Sequence, residues 1–316
     1  VVVNKIAIDA ESKDYSHILP DYRAKAAESD AARIAWIRSD RWIATARAEE
    51  ALSRLEDLLT YPPRDRMPCL LIYGDTGMGK TKILRKFLRD HPPRFNGESG
   101  MTSAPIAAMQ MPAEPLESDF YSELLSALQA PAPIDARTHR LKETCRALLK
   151  SLGVRMLIID EVHALLAGSF RQQRIFLNAI RFLANDLRAP LVCAGTDLAC
   201  QALLTDPQLA ERFEAFHLDH WKNDRRLAEL LISLAGVLPL RRPSALHTAE
   251  VRRRVLELTD GVTVRIFRLV ESVAIAAIRS GEERITAQSF LAPDLAPPLV
   301  AMSRNMDARL ARAAGR

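Results

Sequence analysis

Residues Gly74 to Thr81 read Gly-Asp-Thr-Gly-Met-Gly-Lys-Thr and follow directly on the apolar run Cys69 to Tyr73. No other stretch restricts the fold as strongly. Gly74, Gly77 and Gly79 let the backbone turn tightly and aim its N–H groups at an anion. A helix opening near Lys80 would add the positive end of its dipole at the same place. Lys80 is then expected to reach the β- and γ-phosphates, and the Thr81 hydroxyl to hold magnesium. Strand, glycine loop and helix in this order describe a P-loop, or Walker A motif. Gly74, Asp75, Thr76, Gly77, Met78, Gly79, Lys80 and Thr81 are therefore the expected lining of a nucleoside-triphosphate site.

A second carboxylate motif stands about eighty residues further on, where the apolar run Val154 to Ile159 ends in Asp160-Glu161. α/β sheets place their ligands at the C-terminal tips of strands. Asp160 is expected to hold magnesium there, and Glu161 to polarise the attacking water as general base. His163 has two readings: it tunes Glu161 or contacts a neighbouring subunit, or it simply caps or packs. The next strand ends Cys193-Ala194-Gly195-Thr196. Thr196 is either a sensor that orients the water or a cap for the helix starting near Asp197. Arg212 precedes the last candidate strand, Phe213 to Leu218. It reads as an arginine reaching the nucleotide of the next protomer, or as a surface ion pair with Glu211 or Glu214. Arg265, in Gly261-Val262-Thr263-Val264-Arg265, opens a helix and is a candidate to fold down on the phosphates of its own chain.

Short apolar strands alternate with helices between residues 67 and 220, which predicts a parallel sheet covered by helices. Strands are expected at Cys69 to Tyr73, Pro105 to Met111, Val154 to Ile159, Leu191 to Ala194 and Phe213 to Leu218. Helices are expected at Lys80 to Arg89, Glu117 to Gln129, Thr138 to Ser151 and Arg171 to Leu187. Polar Arg94 to Ser103 is expected to be a flexible loop. Residues 1–66 form a helical arm in this reading, with helices over Tyr22 to Arg38 and Ala48 to Leu59. The arm either docks and clamps a ligand or packs on the main domain. Residues 221–292 form a helical lid, and 293–316 a flexible tail.

The net charge is only +5, but His220 to Arg316 carries sixteen Lys or Arg against ten Asp or Glu. Such a bias suits a phosphate-backbone partner, and equally a set of solvated helix faces. Cys69, Cys145, Cys193 and Cys200 form no metal or disulfide pattern, as in an intracellular protein. No signal peptide opens the sequence, and its apolar runs are too short to span a bilayer.

The motifs together resemble the AAA+ ATPases, and more closely the TniB family of bacterial transposition proteins, which are TnsC-like. The residues that carry the resemblance are Tyr22-Arg23, Trp36-Ile37-Arg38, Arg41-Trp42-Ile43, Leu70 to Thr81, Ile159-Asp160-Glu161-Val162-His163 and Ala194-Gly195-Thr196. It covers roughly Tyr15 to Phe290. The generic nucleotide motifs are shared by many families; the arm and the Asp-Glu-Val-His segment point to TniB. The resemblance implies a cytoplasmic bacterial regulator of DNA transposition with ATP and Mg2+ as cofactors. It also implies oligomers or filaments on double-stranded DNA, with little sequence preference. A DDE-type transposase would be recruited or activated, and ATP hydrolysis would dismantle the assembly. Arg212 would complete the neighbour's site.

DNA contacts are expected from Arg94, Arg171 and Arg174, each of which reads equally as a solvated arginine. Two other functions share the nucleotide residues. A helicase loader or replication initiator would act on a helicase or an origin; the short stretch after Phe290 weighs against an initiator's winged helix. A nucleotide-gated DNA scaffold with negligible turnover is the other, against which Glu161 and Arg212 argue.

Overall fold

The computed structural model describes residues 15–98, 100–131 and 137–291. They fall into two compact units, Ala46–Asp219 and a second that joins Val1–Thr45 to His220–Arg316. In chain order the first elements are α1 (Arg23–Ala26), α2 (Asp30–Arg38), α3 (Ala46–Thr60), β1 (Cys69–Tyr73) and α4 (Lys80–Asp90). Next come β2 (Arg94–Asn96), β3 (Met101–Ser103), β4 (Ile106–Gln110), α5 (Glu117–Ala127), α6 (Thr138–Ser151) and β5 (Met156–Asp160). After these follow α7 (Phe170–Leu187), β6 (Leu191–Gly195), α8 (Leu198–Leu204), α9 (Pro207–Ala210) and β7 (Phe213–His217). The last helices are α10 (Arg225–Val237), α11 (Ala249–Thr259) and α12 (Thr263–Ser280).

In the unit Ala46–Asp219 five strands pair in the order β4-β5-β6-β1-β7, every pairing parallel. Burial follows this order. β6 is buried at all five residues, and β1 and β5 at four of five each. At the edge, β7 buries only Phe216. Long apolar runs therefore take the middle of the sheet, as parallel strands covered on both faces do. Phe120, Tyr121, Leu124 and Leu125 of α5 and Phe176, Leu177, Ile180 and Leu183 of α7 pack into the same core as β5 and β6. Because the strands are parallel, Gly74, Asp160 and Thr196 all come at the C-terminal end of the sheet.

Arg94 to Ser103 is not an open loop. β2 and β3 pair antiparallel, Arg94 opposite Ser103 and Asn96 opposite Met101, with all six strand residues exposed. Asn96 Oδ1 accepts from the Glu98 backbone N–H at 2.9 Å, which starts the turn. The expected helix over Tyr22 to Arg38 is likewise broken. Ser29 caps α2 by accepting from the Ala32 N–H at 3.3 Å, and the chain between α1 and α2 leaves the helical path.

The arm expected over residues 1–66 is divided. α3 belongs with the sheet: Ala51, Leu55 and Leu59 are buried, and Arg47 donates to the His217 carbonyl at 2.7 Å. Residues 15–45 belong instead with α10 to α12. Ile37 shares a core with Leu230, Leu231, Leu234, Leu269, Val270 and Val273. The Leu19 N–H donates to the Gly236 carbonyl at 2.8 Å. The expected tail, 293–316, lies outside the described residues. Among the described residues no helix is long and apolar enough to cross a membrane.

Arg33 is the polar centre of this second unit. Its side chain is fully buried and donates to both Glu283 oxygens at 2.6 and 2.7 Å, to Asp30 at 2.7 Å and to the Pro239 carbonyl at 2.9 Å. Burial pushes the Glu283 carboxyl up, but the bonds from Arg33 and the Arg241 backbone outweigh it and hold it below its ordinary value. A buried charge that loses its partner is left uncompensated. Arg33→Ala is therefore expected to destabilise the protein by about 3–5 kcal/mol in urea unfolding. A loss below about 1 kcal/mol would mean the cluster adds no more than a surface pair.

Candidate nucleotide site

The phosphate loop is built against the edge strand. Gly74 has φ +143°, and a Cβ there would lie 2.6 Å from the Leu218 carbonyl oxygen, so only glycine lets the two backbones close. The Leu218 N–H donates back to the Tyr73 carbonyl at 2.8 Å. Asp75 and Thr76 form an exposed rim, whereas Met78 and Lys80 are buried. Gly79, left-handed at φ +103°, sits at the N-cap of α4.

Lys80 Nζ donates to the carbonyls of Gly74 at 2.7 Å and Asp75 at 2.9 Å. Burial lowers its ammonium pKa; the carboxylates of Glu161, Asp160, Asp75 and Asp197 act in the opposite direction. A buried cation at the N-terminus of α4 is chemically matched to a phosphate. One residue on, Thr81 Oγ1 donates to Asp160 Oδ2 at 2.7 Å. The two expected magnesium-binding groups therefore meet, although they are 79 residues apart. A hydroxyl and a carboxylate are both oxygen donors of the kind that suit a hard cation.

Asp160 ends β5, and its Oδ1 accepts the Glu161 backbone N–H at 2.9 Å. Glu161 is left-handed, φ 58° and ψ 35°, and caps the 3-10 turn Val162–Ala167. Such a conformation in a non-glycine residue costs on the order of 1 kcal/mol and is held here by the buried Val162 and Leu165. His163 Nε2 stands 3.3 Å from Glu161 Oε2, and His163 Nδ1 accepts the Thr196 N–H at 3.4 Å. The sequence left His163 between tuning Glu161 and simple packing. That the ring meets both neighbours depends on β6 lying beside β5, which spacing alone does not reveal.

Thr196 caps no helix through its hydroxyl. Its Oγ1 is buried and has no hydrogen-bond partner among the described residues, while its carbonyl accepts the Ala199 N–H at 2.8 Å. Arg212 donates to Asn185 Oδ1 of α7 at 2.7 Å, and Glu214 is engaged by Arg54. The expected pairing of Arg212 with a neighbouring glutamate is thus replaced by a neutral amide. Arg265 belongs to the other unit, where Asp260 holds its guanidinium at 2.7 Å.

The expected DNA-contacting residues are all exposed. Arg94 lies in the β2–β3 hairpin; Arg171 and Arg174 share one face of the first turns of α7, with Arg174 over the Phe170 ring at 5.8 Å.

No curated protein matches the chain at a significant level. Solved structures similar to it include the ORC2 protein of Aeropyrum pernix in ADPNP–ADP complexes, with TM-score 0.60 and 14% identity over 86% of this chain and 74% of that one. Cdc6p from Pyrobaculum aerophilum has TM-score 0.55 and 15% identity over 79% of this chain and 67% of that one. The ORC1 protein of Aeropyrum pernix, solved in complex with DNA, has TM-score 0.51 and 18% identity over 82% and 67%. These likenesses establish the fold, an AAA+ P-loop ATPase fold with a five-stranded parallel sheet flanked by helices. A family described as bacterial TniB protein matches residues 33–223, more than half of the 316, and the chain belongs to the TniB family.

Proposed function

We propose that this chain is an ATP-dependent regulator of DNA transposition. It assembles on target duplex DNA in its ATP-bound form, recruits or activates a DDE-type transposase, and leaves the DNA when ATP is hydrolysed. It works in the bacterial cytoplasm. The observation that carries this reading is the Thr81–Asp160 bond, a joined Walker A and Walker B pair, in a TniB chain that keeps Glu161 beside it.

The residues divide the work by their chemistry. Backbone N–H groups of Gly74 to Thr81 receive the phosphates, and Lys80 exchanges its two carbonyl contacts for phosphate oxygens. Thr81 and Asp160 hold Mg2+, which neutralises charge on the phosphate oxygens when bound. Glu161 takes the proton of the attacking water. Thr196 Oγ1, buried and unpaired, supplies a hydroxyl that orients that water. Among the described residues the Arg212 guanidinium is bonded to a neutral amide, so little opposes its transfer to the phosphates of an adjacent protomer. Arg265 reads nucleotide state from the helical unit once it exchanges Asp260 for phosphate. Arg94, Arg171 and Arg174 supply backbone contacts to DNA.

Lys80→Ala is expected to weaken ATP binding about 10- to 100-fold, read by titration of a fluorescent nucleotide. Unchanged affinity would remove the phosphate role of Lys80.

Duplex DNA is expected to raise the ATPase rate, with an effect that fades between low and moderate salt. Glu161→Gln should lower kcat by about 10²- to 10⁴-fold while keeping ATP-dependent DNA binding. An initiator or loader would require its own origin or helicase, and an inert scaffold would give no turnover to stimulate. No DNA stimulation together with no ATP-dependent DNA binding would end the proposal.

Arg212→Ala should lose about a thousandfold or more of the DNA-stimulated rate with nucleotide affinity retained. Mixing it with Glu161→Gln protein, which still binds ATP and DNA, should restore activity, because each protomer then supplies what the other lacks. Failure of that mixture, with both variants still assembling, would place Arg212 outside the shared site.

A further inference from the structure

The turn after β5 holds one more functional group than the proposed function uses. His163 lies between Glu161 and the tip of β6. Its Nδ1 accepts the Thr196 backbone N–H at 3.4 Å, so the neutral ring carries its proton on Nε2. That nitrogen stands 3.3 Å from Glu161 Oε2, near enough to donate once the carboxylate turns toward it. The ring is only 25% exposed, unlike a loose surface contact.

The backbone has made room for this arrangement. At Gly195 a Cβ would come 3.2 Å from His163 Nδ1, 3.4 Å from the His163 backbone nitrogen and 2.9 Å from Ala199 Cβ. A bare backbone at the strand tip lets the imidazole lie directly against β6. The same residue, Thr196, holds the ring through its N–H and carries the unpaired hydroxyl beside it.

We propose that His163 is a positioning residue for ATP hydrolysis: anchored on the β6 tip, it donates through Nε2 to Glu161 and fixes the carboxylate in one orientation. It does not itself take the proton of the attacking water. A left-handed glutamate at the N-cap of a 3-10 turn, 38% exposed, has several side-chain orientations open to it. One donor fixed to a rigid strand selects among them, and this is how an outer residue raises the rate of the group it touches. The inference rests on the reading of Glu161 as general base.

The test is steady-state ATPase of the full chain with saturating duplex DNA, alongside titration of a fluorescent nucleotide. His163→Ala is expected to lower kcat about 10- to 100-fold, with nucleotide affinity changed by less than about twofold. His163→Gln places an amide N–H at the reach of Nε2 and should return kcat to within about threefold of the parent. His163→Asn, whose donor stops at the reach of Nδ1, should stay as low as His163→Ala. In a Glu161→Gln background, His163→Ala should add no further loss of kcat, because the carboxylate it positions is gone.

If Glu161→Gln turns over within about twofold of the parent, the base assignment fails and takes this inference with it. If Glu161→Gln is inactive but His163→Ala keeps or exceeds the parent kcat, only the role of His163 is overturned. The same holds if His163→Gln is no better than His163→Ala, or if nucleotide affinity falls in step with kcat.

Discussion

The 2.7 Å bond from Thr81 to Asp160 sets the terms for the rest of the nucleotide site. Thr81 opens α4, directly after the loop that leaves β1, while Asp160 ends β5. These strands are not neighbours: β6 stands between them. The bond crosses that gap at the tips of the strands, where β6 ends in Gly195 and Thr196 follows immediately. The order of strands therefore brings the tip of β6, with Thr196, to the same end of the sheet as Thr81 and Asp160. Strand order, parallel direction and the glycine at the tip are one constraint seen three ways.

The same logic explains why β1 lies inside the sheet, with a strand on either side. Its loop must be rigid, since a phosphate cradle that breathes loses its aligned N–H groups. β6 and β7 pair on either side of β1, and Leu218 closes on Gly74 so tightly that no side chain fits. Rigidity around the loop is what makes the buried Lys80 tolerable. Its charge is stripped of most of its water yet held by two carbonyls, a state that favours exchange for an anion over collapse.

Much of this was legible in the sequence because its signals are local. Cys69 to Tyr73 and Leu191 to Ala194 are apolar enough to be central strands, and Thr138 to Ser151 carries its helix period openly. The β2–β3 hairpin was missed because both of its strands are exposed, so no alternation marks them; Asn96-Gly97 was the only available signal. The division of the arm was missed for a different reason. Both segments are amphipathic, and an apolar stripe says that a helix packs without saying on what. The choice is made by partners far along the chain, Glu283 for Arg33 and His217 for Arg47. Contacts of His163 and Arg212 belong to the same class. Each depends on a neighbour, Thr196 or Asn185, that only strand order or helix packing brings near.

Arg212 and Arg265 share a further property. Each arginine proposed to sense nucleotide is bonded within its own unit, Arg212 to a neutral amide and Arg265 to a carboxylate. The strengths of these bonds differ in a useful direction. A bond from guanidinium to amide is weaker than one to a carboxylate, so in the proposed role Arg212 would exchange it for phosphate at little cost. Arg265, in the proposed role, would give up a partly exposed charge pair with Asp260, for which an anionic ligand compensates. A protomer would then lend Arg212 to a neighbour readily, but commit Arg265 only when a triphosphate is in place. In that arrangement assembly comes before commitment, the order a switch needs if its lifetime on DNA is to be set by hydrolysis.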